Sequence, residues 1–196
     1  TITNPPYMSS GGMSAPLSKY VKKHYPMSKA DLFAVFMEVE FALTRENHYS
    51  AMINQQSWMF LNSYEAVRNS ILRERTIINL VHTGSRTFPD VGGEVVQSVS
   101  FILKNTYVEN FLGSYIRLVD YTSNKPTYFY KQNNRYTVKQ KKFIKIPGAP
   151  IAYWSSEQVY QAFNKFPLLS SIAPVKKGLD TGNNALFLRY WFEVSI

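Results

Sequence analysis

The chain has 196 residues, 22 Lys+Arg against 13 Asp+Glu and a formal net charge of +9, with 45% hydrophobic and 15% aromatic residues. That composition supports a packed core in one good-sized domain and argues against global disorder. The lack of cysteine excludes a disulfide scaffold and zinc–thiolate sites and suits a reducing, cytoplasmic setting, and no apolar run approaches the roughly 20 residues of a membrane span.

Thr1-Ile2-Thr3 is a β-prone stub that runs straight into Asn4-Pro5-Pro6-Tyr7. These first residues have neither the basic start nor the apolar stretch of a signal peptide. The chain opens on a motif rather than on a methionine, so it is expected to be a piece of a longer polypeptide. Residues 8–15, with Ser9-Ser10-Gly11-Gly12, read as a flexible loop. A helix follows, with Ser28 as N-cap and Asp31 at the capping-box spacing; Leu32, Val35, Phe36, Val39 and Leu43 recur as one apolar face, and Asn47 ends it. On that reading the carboxylates of Glu38 and Glu40 are surface groups.

Residues 49–53 predict a strand, 60–73 a second amphipathic helix through Leu61, Tyr64, Val67, Ile71 and Leu72, and the β-branched run 76–82 a buried strand. Residues 95–103 and 115–119 predict two more strands. Alternating strands and helices up to Val81 imply a parallel sheet, and the strand-rich remainder an antiparallel edge. Ile146-Pro147-Gly148-Ala149-Pro150 marks a composition break, placing one domain over 1–145 and the beginning of another over 146–196, with Ser155 or Ser156 capping a short helix to Phe163.

The positive charge favours a polyanionic partner. Lys139, Lys141, Lys142 and Lys145 form the main basic cluster, interleaved with Tyr128, Phe129, Tyr130, Tyr136 and Phe143; Lys19, Lys22 and Lys23 form a smaller one. Basic groups among aromatics suit a nucleic-acid surface, though a solvated face has the same composition. His24, His48 and His82 are too far apart for a local metal pair, and His82 at a strand end reads as structural. Trp58 and Met59 read as core, with pocket lining as the alternative.

Asn4-Pro5-Pro6-Tyr7 is the most informative stretch, with a chance occurrence on the order of one in 10⁵ per position. An exocyclic amino group on a conjugated ring or carbonyl has a delocalised lone pair and is a poor nucleophile. Two acceptors, the Asn4 side-chain oxygen and the Pro5 carbonyl, can bind its two N–H groups and localise that lone pair. The prolines hold φ near about −65° and remove backbone donors, and Tyr7 offers a face for a planar group.

With these residues the sequence resembles the amino-group methyltransferases that use S-adenosylmethionine, in which NPPY closes a strand. Ser28-Lys29-Ala30-Asp31-Leu32-Phe33 resembles the helix start that borders the cofactor in that family, and Gln55-Gln56-Ser57-Trp58-Met59-Phe60 a site-lining loop. Thr87-Phe88-Pro89 with Gly92-Gly93-Glu94-Val95-Val96 resembles the later motif whose aromatic faces a flipped base. The pattern is most similar to the PglX-like adenine-N6 methyltransferases of BREX-type phage-defence systems, and Lys177-Gly178-Leu179-Asp180-Thr181-Gly182-Asn183-Asn184 onward resembles the start of their target-recognition region.

The resemblance implies an α/β, Rossmann-like S-adenosylmethionine-dependent methyltransferase fold missing its first strands, followed by the start of a target-recognition domain. It further implies double-stranded DNA with a flipped adenine as substrate and other phage-defence components as partners, with no membrane and no metal. By residue, Asn4, Pro5, Pro6 and Tyr7 are the catalytic candidates, Tyr7 and Phe88 the base-stacking pair, and Asp31, Leu32 and Phe33 the cofactor-binding ones. Lys139, Lys141, Lys142 and Arg189 are the DNA-binding candidates. The family's glycine-rich cofactor loop precedes NPPY and lies outside this sequence, so the isolated chain is expected to be inactive. Two alternatives remain open: a glutamine-amide methyltransferase, because NPPY can hold any planar amide nitrogen, and a non-catalytic DNA-binding module.

Overall fold

A computed structural model of the chain describes residues 1–87 and 96–174, with residues 178, 182, 183, 186, 188–190 and 193 beyond them. Six strands form one mixed sheet: β1 (Ile2–Thr3), β2 (Tyr49–Gln55), β3 (Thr76–Gly84), β4 (Ser98–Lys104), β5 (Leu112–Arg117) and β6 (Arg135–Lys139), in the order β1-β2-β4-β3-β5-β6. The helices are α1 (Ala15–His24), α2 (Leu32–Leu43), α3 (Glu65–Glu74), α4 (Lys125–Phe129), α5 (Glu157–Lys165) and α6 (Leu169–Ile172). None of the described helices is long and apolar enough to cross a membrane.

The parallel sheet expected up to Val81 is corrected by β4. It runs antiparallel to both β2 and β3 and lies between them, so the strand expected at an antiparallel edge sits in the middle of the sheet. Parallel pairs remain at β1–β2 and β3–β5. Alternation along a strand reports which face is buried, but not which neighbour it pairs with.

One face carries the main core. Phe33, Ala34, Met37 and Phe41 of α2 and Val67, Ile71 and Leu72 of α3 pack on Met52, Ile77, Leu80, Val99, Phe101, Leu103 and Tyr115. The predicted apolar face of α2 is therefore not the one on the sheet. Leu32, Val35 and Val39 pack instead with Met13, Leu17 and Val21 under α1, while Phe36 and Leu43 are exposed. A helix apolar around most of its circumference gives two readable stripes, and only packing selects between them. The helix α1 follows the loop expected over 8–15, in a stretch for which the sequence predicts no element, with Ser14 and Pro16 at its start.

The N-cap of α2 is Asp31, not Ser28: its side chain accepts from the Phe33 N–H, while the Ser28 hydroxyl is buried without a hydrogen bond among the described residues. Glu40 is also buried, which corrects the surface reading, and one Glu38 oxygen is likewise shielded from solvent. Trp58 and Met59 are both fully buried core residues.

The boundary expected at 145/146 falls inside the core. Phe143, Ala149, Ile151, Tyr153 and Tyr160 all belong to the main cluster, and the Ile151 N–H donates to the Met59 carbonyl at 3.0 Å. Arg68, with no exposed surface, secures this return. Its Nε (3.0 Å) and Nη2 (2.6 Å) both donate to the Gly148 carbonyl, and its Nη1 to the carbonyls of Trp58 (2.8 Å) and Leu61 (2.6 Å). Gly148 adopts φ +77°, a conformation that favours glycine, so the proline-flanked segment turns back onto the sheet instead of leaving it.

Candidate functional site

Strand register gathers the chemistry-bearing loops at one edge. Thr3 pairs with Met52, Gln55 and Gly84 both pair with Ser98, His82 with Arg117, and Ile116 with Arg135. The carboxyl ends of β1, β2, β3 and β5 therefore share one edge with the amino ends of β4 and β6. Ligands of α/β sheets bind outside such carboxyl ends. Asn4–Tyr7 follows β1 there, residues 56–61 follow β2, residues 85–87 follow β3, and residues 118–134 follow β5.

Within the motif Asn4 and Pro6 are exposed, Pro5 is buried and Tyr7 is half-buried. Tyr7 meets Phe33 edge-on, with centroids 6.2 Å apart and planes at 83°. The Tyr7 hydroxyl is buried without a hydrogen bond among the described residues, as is that of Ser98. Burial, then the Asp31 charge, raises the Tyr7 pKa. The phenol thus stays neutral.

Asp31 holds the exit of the motif. Its Oδ1 accepts from the Met8 N–H at 3.0 Å and from the Phe33 N–H at 3.2 Å, so one carboxylate oxygen caps α2 and anchors the loop. Backbone bonds from Leu32 to Met8 (3.0 Å) and from Ser10 to Ala30 (2.9 Å) add to this tie. Of the three cofactor candidates, Asp31 is buried and engaged, Phe33 is fully buried beneath Tyr7, and Leu32 is half-buried.

Behind the 56–61 loop lies a network that only part of the sequence signalled. The Tyr153 hydroxyl lies 3.0 Å from His82 Nδ1, His82 Nε2 lies 2.5 Å from Gln56 Oε1, and the Gln56 amide donates to Gln97 Oε1. With the Gln56 oxygen as acceptor, His82 carries its proton on Nε2 and accepts from Tyr153 at Nδ1. Burial, with Arg117 and Lys125 adding positive charge, holds the His82 pKa down to about 4. Both ring nitrogens are engaged, which fits the structural reading of His82. Phe60 and Trp154 flank the ring at 5.9 and 6.2 Å. Among the described residues no three His, Cys, Asp or Glu side chains gather where they could hold a metal ion.

The lysines among the DNA-binding candidates do not lie on this edge. Lys139 pairs with Leu112, the first residue of β5, and so lies at the opposite edge, where Lys139 and Lys141 reach Asn110 Oδ1 at 3.4 and 2.7 Å. Lys142 pairs with Glu157 at 2.5 Å. Arg189 is exposed, with Nη1 donating to the Leu188 carbonyl. Phe88 lies outside the described residues, as do Gly92-Gly93-Glu94-Val95 and most of 177–191.

Residues 1–88 match the family described as Eco57I restriction-modification methylase. Along 99% of its length the chain is 46% identical to the adenine-specific methyltransferase PglX of Lacticaseibacillus casei (strain Zhang). Along its full length it is 43% identical to the adenine-specific methyltransferase BrxX of Escherichia coli O9:H4 (strain HS). It spans only 17% and 16% of the length of these two relatives. Among solved structures, a protein of a type I restriction–modification system superposes with a TM-score of 0.57 at 11% identity, over 87% of this chain and 40% of that one. A DrdV–DNA complex superposes with a TM-score of 0.51 at 12% identity, over 80% of this chain and 18% of the other. These superpositions show a shared mixed α/β fold, and the α/β class is the one the sequence predicts.

Proposed function

We propose that this chain carries the substrate-amine half of a DNA adenine-N6 methyltransferase site acting in host DNA modification and phage defence. The observation that carries the reading is Asn4-Pro5-Pro6-Tyr7 leaving β1 at the carboxyl edge of the sheet, with Asn4 exposed beside a Tyr7 whose hydroxyl is buried. The names of the two adenine-specific relatives support a base amine over a glutamine amide.

An adenine N6 is out of reach while stacked and paired, so the base must be flipped into the site. Asn4 Oδ1 and the Pro5 carbonyl accept the two N6–H bonds and localise the nitrogen lone pair away from the ring. As N6 becomes tetrahedral and positive, these same acceptors stabilise the charge, and one of the N6 protons then leaves to solvent. Tyr7, neutral and braced by Phe33, supports the base plane. Asp31 acts at one remove, by fixing the loop that follows Tyr7.

S-adenosylmethionine supplies the electrophilic sulfonium methyl. The residues present fit it along one wall: the half-buried Leu32 and the buried hydroxyls of Tyr7 and Ser28, which have no hydrogen bond among the described residues, lie around Asp31. Phe33, fully buried, serves that wall as support.

The test is methyl transfer to adenine in duplex DNA by the whole polypeptide carrying these residues. Asn4→Ala is expected to lower the rate about a hundredfold or more with DNA binding retained, in line with loss of a positioned polar group. An unchanged rate overturns the role of Asn4. DNA binding with no methyl transfer in the parent protein favours the non-catalytic binding module.

A further inference from the structure

The lysines that look most like a nucleic-acid surface in the sequence lie on the wrong edge for the proposed chemistry. Lys139 and Lys141 are separated from the Asn4–Tyr7 edge by the five residues of β6, a span of about 17 Å at ~3.3 Å per residue. A different basic and aromatic lobe stands on the correct edge. Residues 117–135 contain Arg117, Lys125, Lys131 and Arg135 against the single acid Asp120, and among them Tyr121, Tyr128, Phe129 and Tyr130.

The lobe is built rather than loose. Tyr121 stacks on Tyr128 at 3.7 Å with planes 12° apart, and the Tyr121 hydroxyl donates to Asn134 Oδ1. Asn134 in turn donates to the Tyr128 carbonyl, and Arg135 to the Phe129 carbonyl. Lys125, partly buried, donates to the carbonyls of Thr83 and Ser85 at the end of β3, which locks the lobe onto the sheet. Gly84 makes this approach possible: it has φ +68°, and a Cβ there would meet Val119 at 3.0 Å.

Arg117 pairs with Asp120 at 3.2 Å, but Lys131 and Arg135 are presented on rings instead of being neutralised. Lys131 Nζ lies 4.7 Å from the Tyr128 ring centroid and the Arg135 guanidinium 5.3 Å from that of Phe129. Among the described residues neither has a carboxylate partner within ion-pair distance, whereas Lys142 at the other cluster does. A cavity of about 520 Å³ opens beside them, lined by Thr83, Arg86, Asn124, Lys125, Phe129 and Tyr130. From β1 to β5 the sheet order counts four strand spacings of ~4.8 Å, about 19 Å in all. A duplex running along that length carries about eleven phosphate charges, at about 1.7 Å of axis per charge.

We propose that the 117–135 lobe is the docking surface for the backbone of the double-stranded DNA flanking the flipped adenine, and that Lys139 and Lys141 take no part. This rests on Asn4–Tyr7 being the adenine site. Lys131 contacts a phosphate, and Tyr130, 78% exposed, packs against the sugar–phosphate chain.

The experiment is fluorescence anisotropy of a labelled duplex with the whole polypeptide, across a series of salt concentrations. Lys131→Glu is expected to weaken binding about tenfold and to reduce the salt slope by about one unit, with Lys131→Gln intermediate. Lys139→Glu with Lys141→Glu is expected to stay within about twofold. Equal binding by Lys131→Glu and the parent, or a larger loss from the Lys139/Lys141 pair, overturns the docking surface while leaving the adenine site intact. Tighter binding to single-stranded DNA than to duplex overturns it as well. If the parent binds neither, the reading of Asn4–Tyr7 fails together with it.

Discussion

Buried polar groups are handled in opposite ways in two regions of this molecule. Around the carboxyl edge of the sheet, Arg68 and His82 are removed from solvent but have their donors and acceptors met: Arg68 by three carbonyls, His82 by Tyr153 and Gln56. At the corner where α2 ends beside β1, Glu40 is just as buried, yet both its carboxylate oxygens lack a hydrogen bond among the described residues. Burial pushes its pKa up to about 7. The contrast separates groups that hold loops in register from a group that tolerates burial only as a neutral acid.

Arg68→Ala breaks the first region most severely. It leaves the carbonyls of Trp58, Leu61 and Gly148 unpaired and opens a cavity under the 146–151 segment, so a loss of about 3–5 kcal/mol is expected in urea unfolding. Arg68→Lys is expected to restore only part of this, because a point ammonium lacks the planar fork that serves three carbonyls. Stability unchanged by Arg68→Ala would mean that the return segment is held by its apolar contacts alone.

His82→Ala comes next, at about 2–4 kcal/mol at pH 7.5, from lost packing and from the stranded Tyr153 and Gln56 groups. Its pH signature is specific. The folded pKa of about 4 lies below the ordinary 6.5, so the unfolded chain binds the extra proton between them. Stability from His82 is therefore complete above pH 6.5 and lost as pH falls toward 4. The gap between wild type and His82→Ala should narrow over that window in chemical denaturation. Asp31→Ala follows, at about 1–2 kcal/mol from the lost N-cap and the freed Met8 N–H. In methylation assays it should act as a positioning change, which Asp31→Asn partly rescues because Asn also caps.

How much of this was readable depends on the reach of each signal. The motif after β1, strands β2 and β3, and the buried side of α3 are local patterns, and the structure has them where the residues place them. The position of β4 between β2 and β3 is a pairing choice made across the chain, with no trace in alternation. Arg68 sits in an amphipathic helix beside Val67, where charge suggests the solvent side, and nothing nearby announces the Gly148 carbonyl 80 positions on. Glu40 was misread for the same reason: in a helix apolar nearly all round, one acid looks like a marker of the outer face. The basic cluster at 139–145 was conspicuous by composition, but only strand direction reveals which edge it occupies.

The smallest effect tests the second region and carries the opposite sign. Glu40 has a folded pKa of about 7 against an ordinary 4.5, so here the native state binds the extra proton. Its contribution is intact below pH 4.5 and is lost as pH rises through about 7, the reverse of His82. Over the shared stretch of the acid range the two slopes oppose each other, and the wild-type profile hides both. Glu40→Gln removes the ionisation while keeping the shape, and so should stabilise the chain by about 1 kcal/mol at pH 8.5, or roughly 2–4 °C in melting temperature. At pH 4.5 the same substitution should be near neutral, and the profile that remains should rise with pH as His82 alone dictates. A Glu40→Gln protein less stable than wild type at pH 8.5 would mean that the ionised carboxylate has found partners at the α2–β1 corner, and the two regions would then follow one rule.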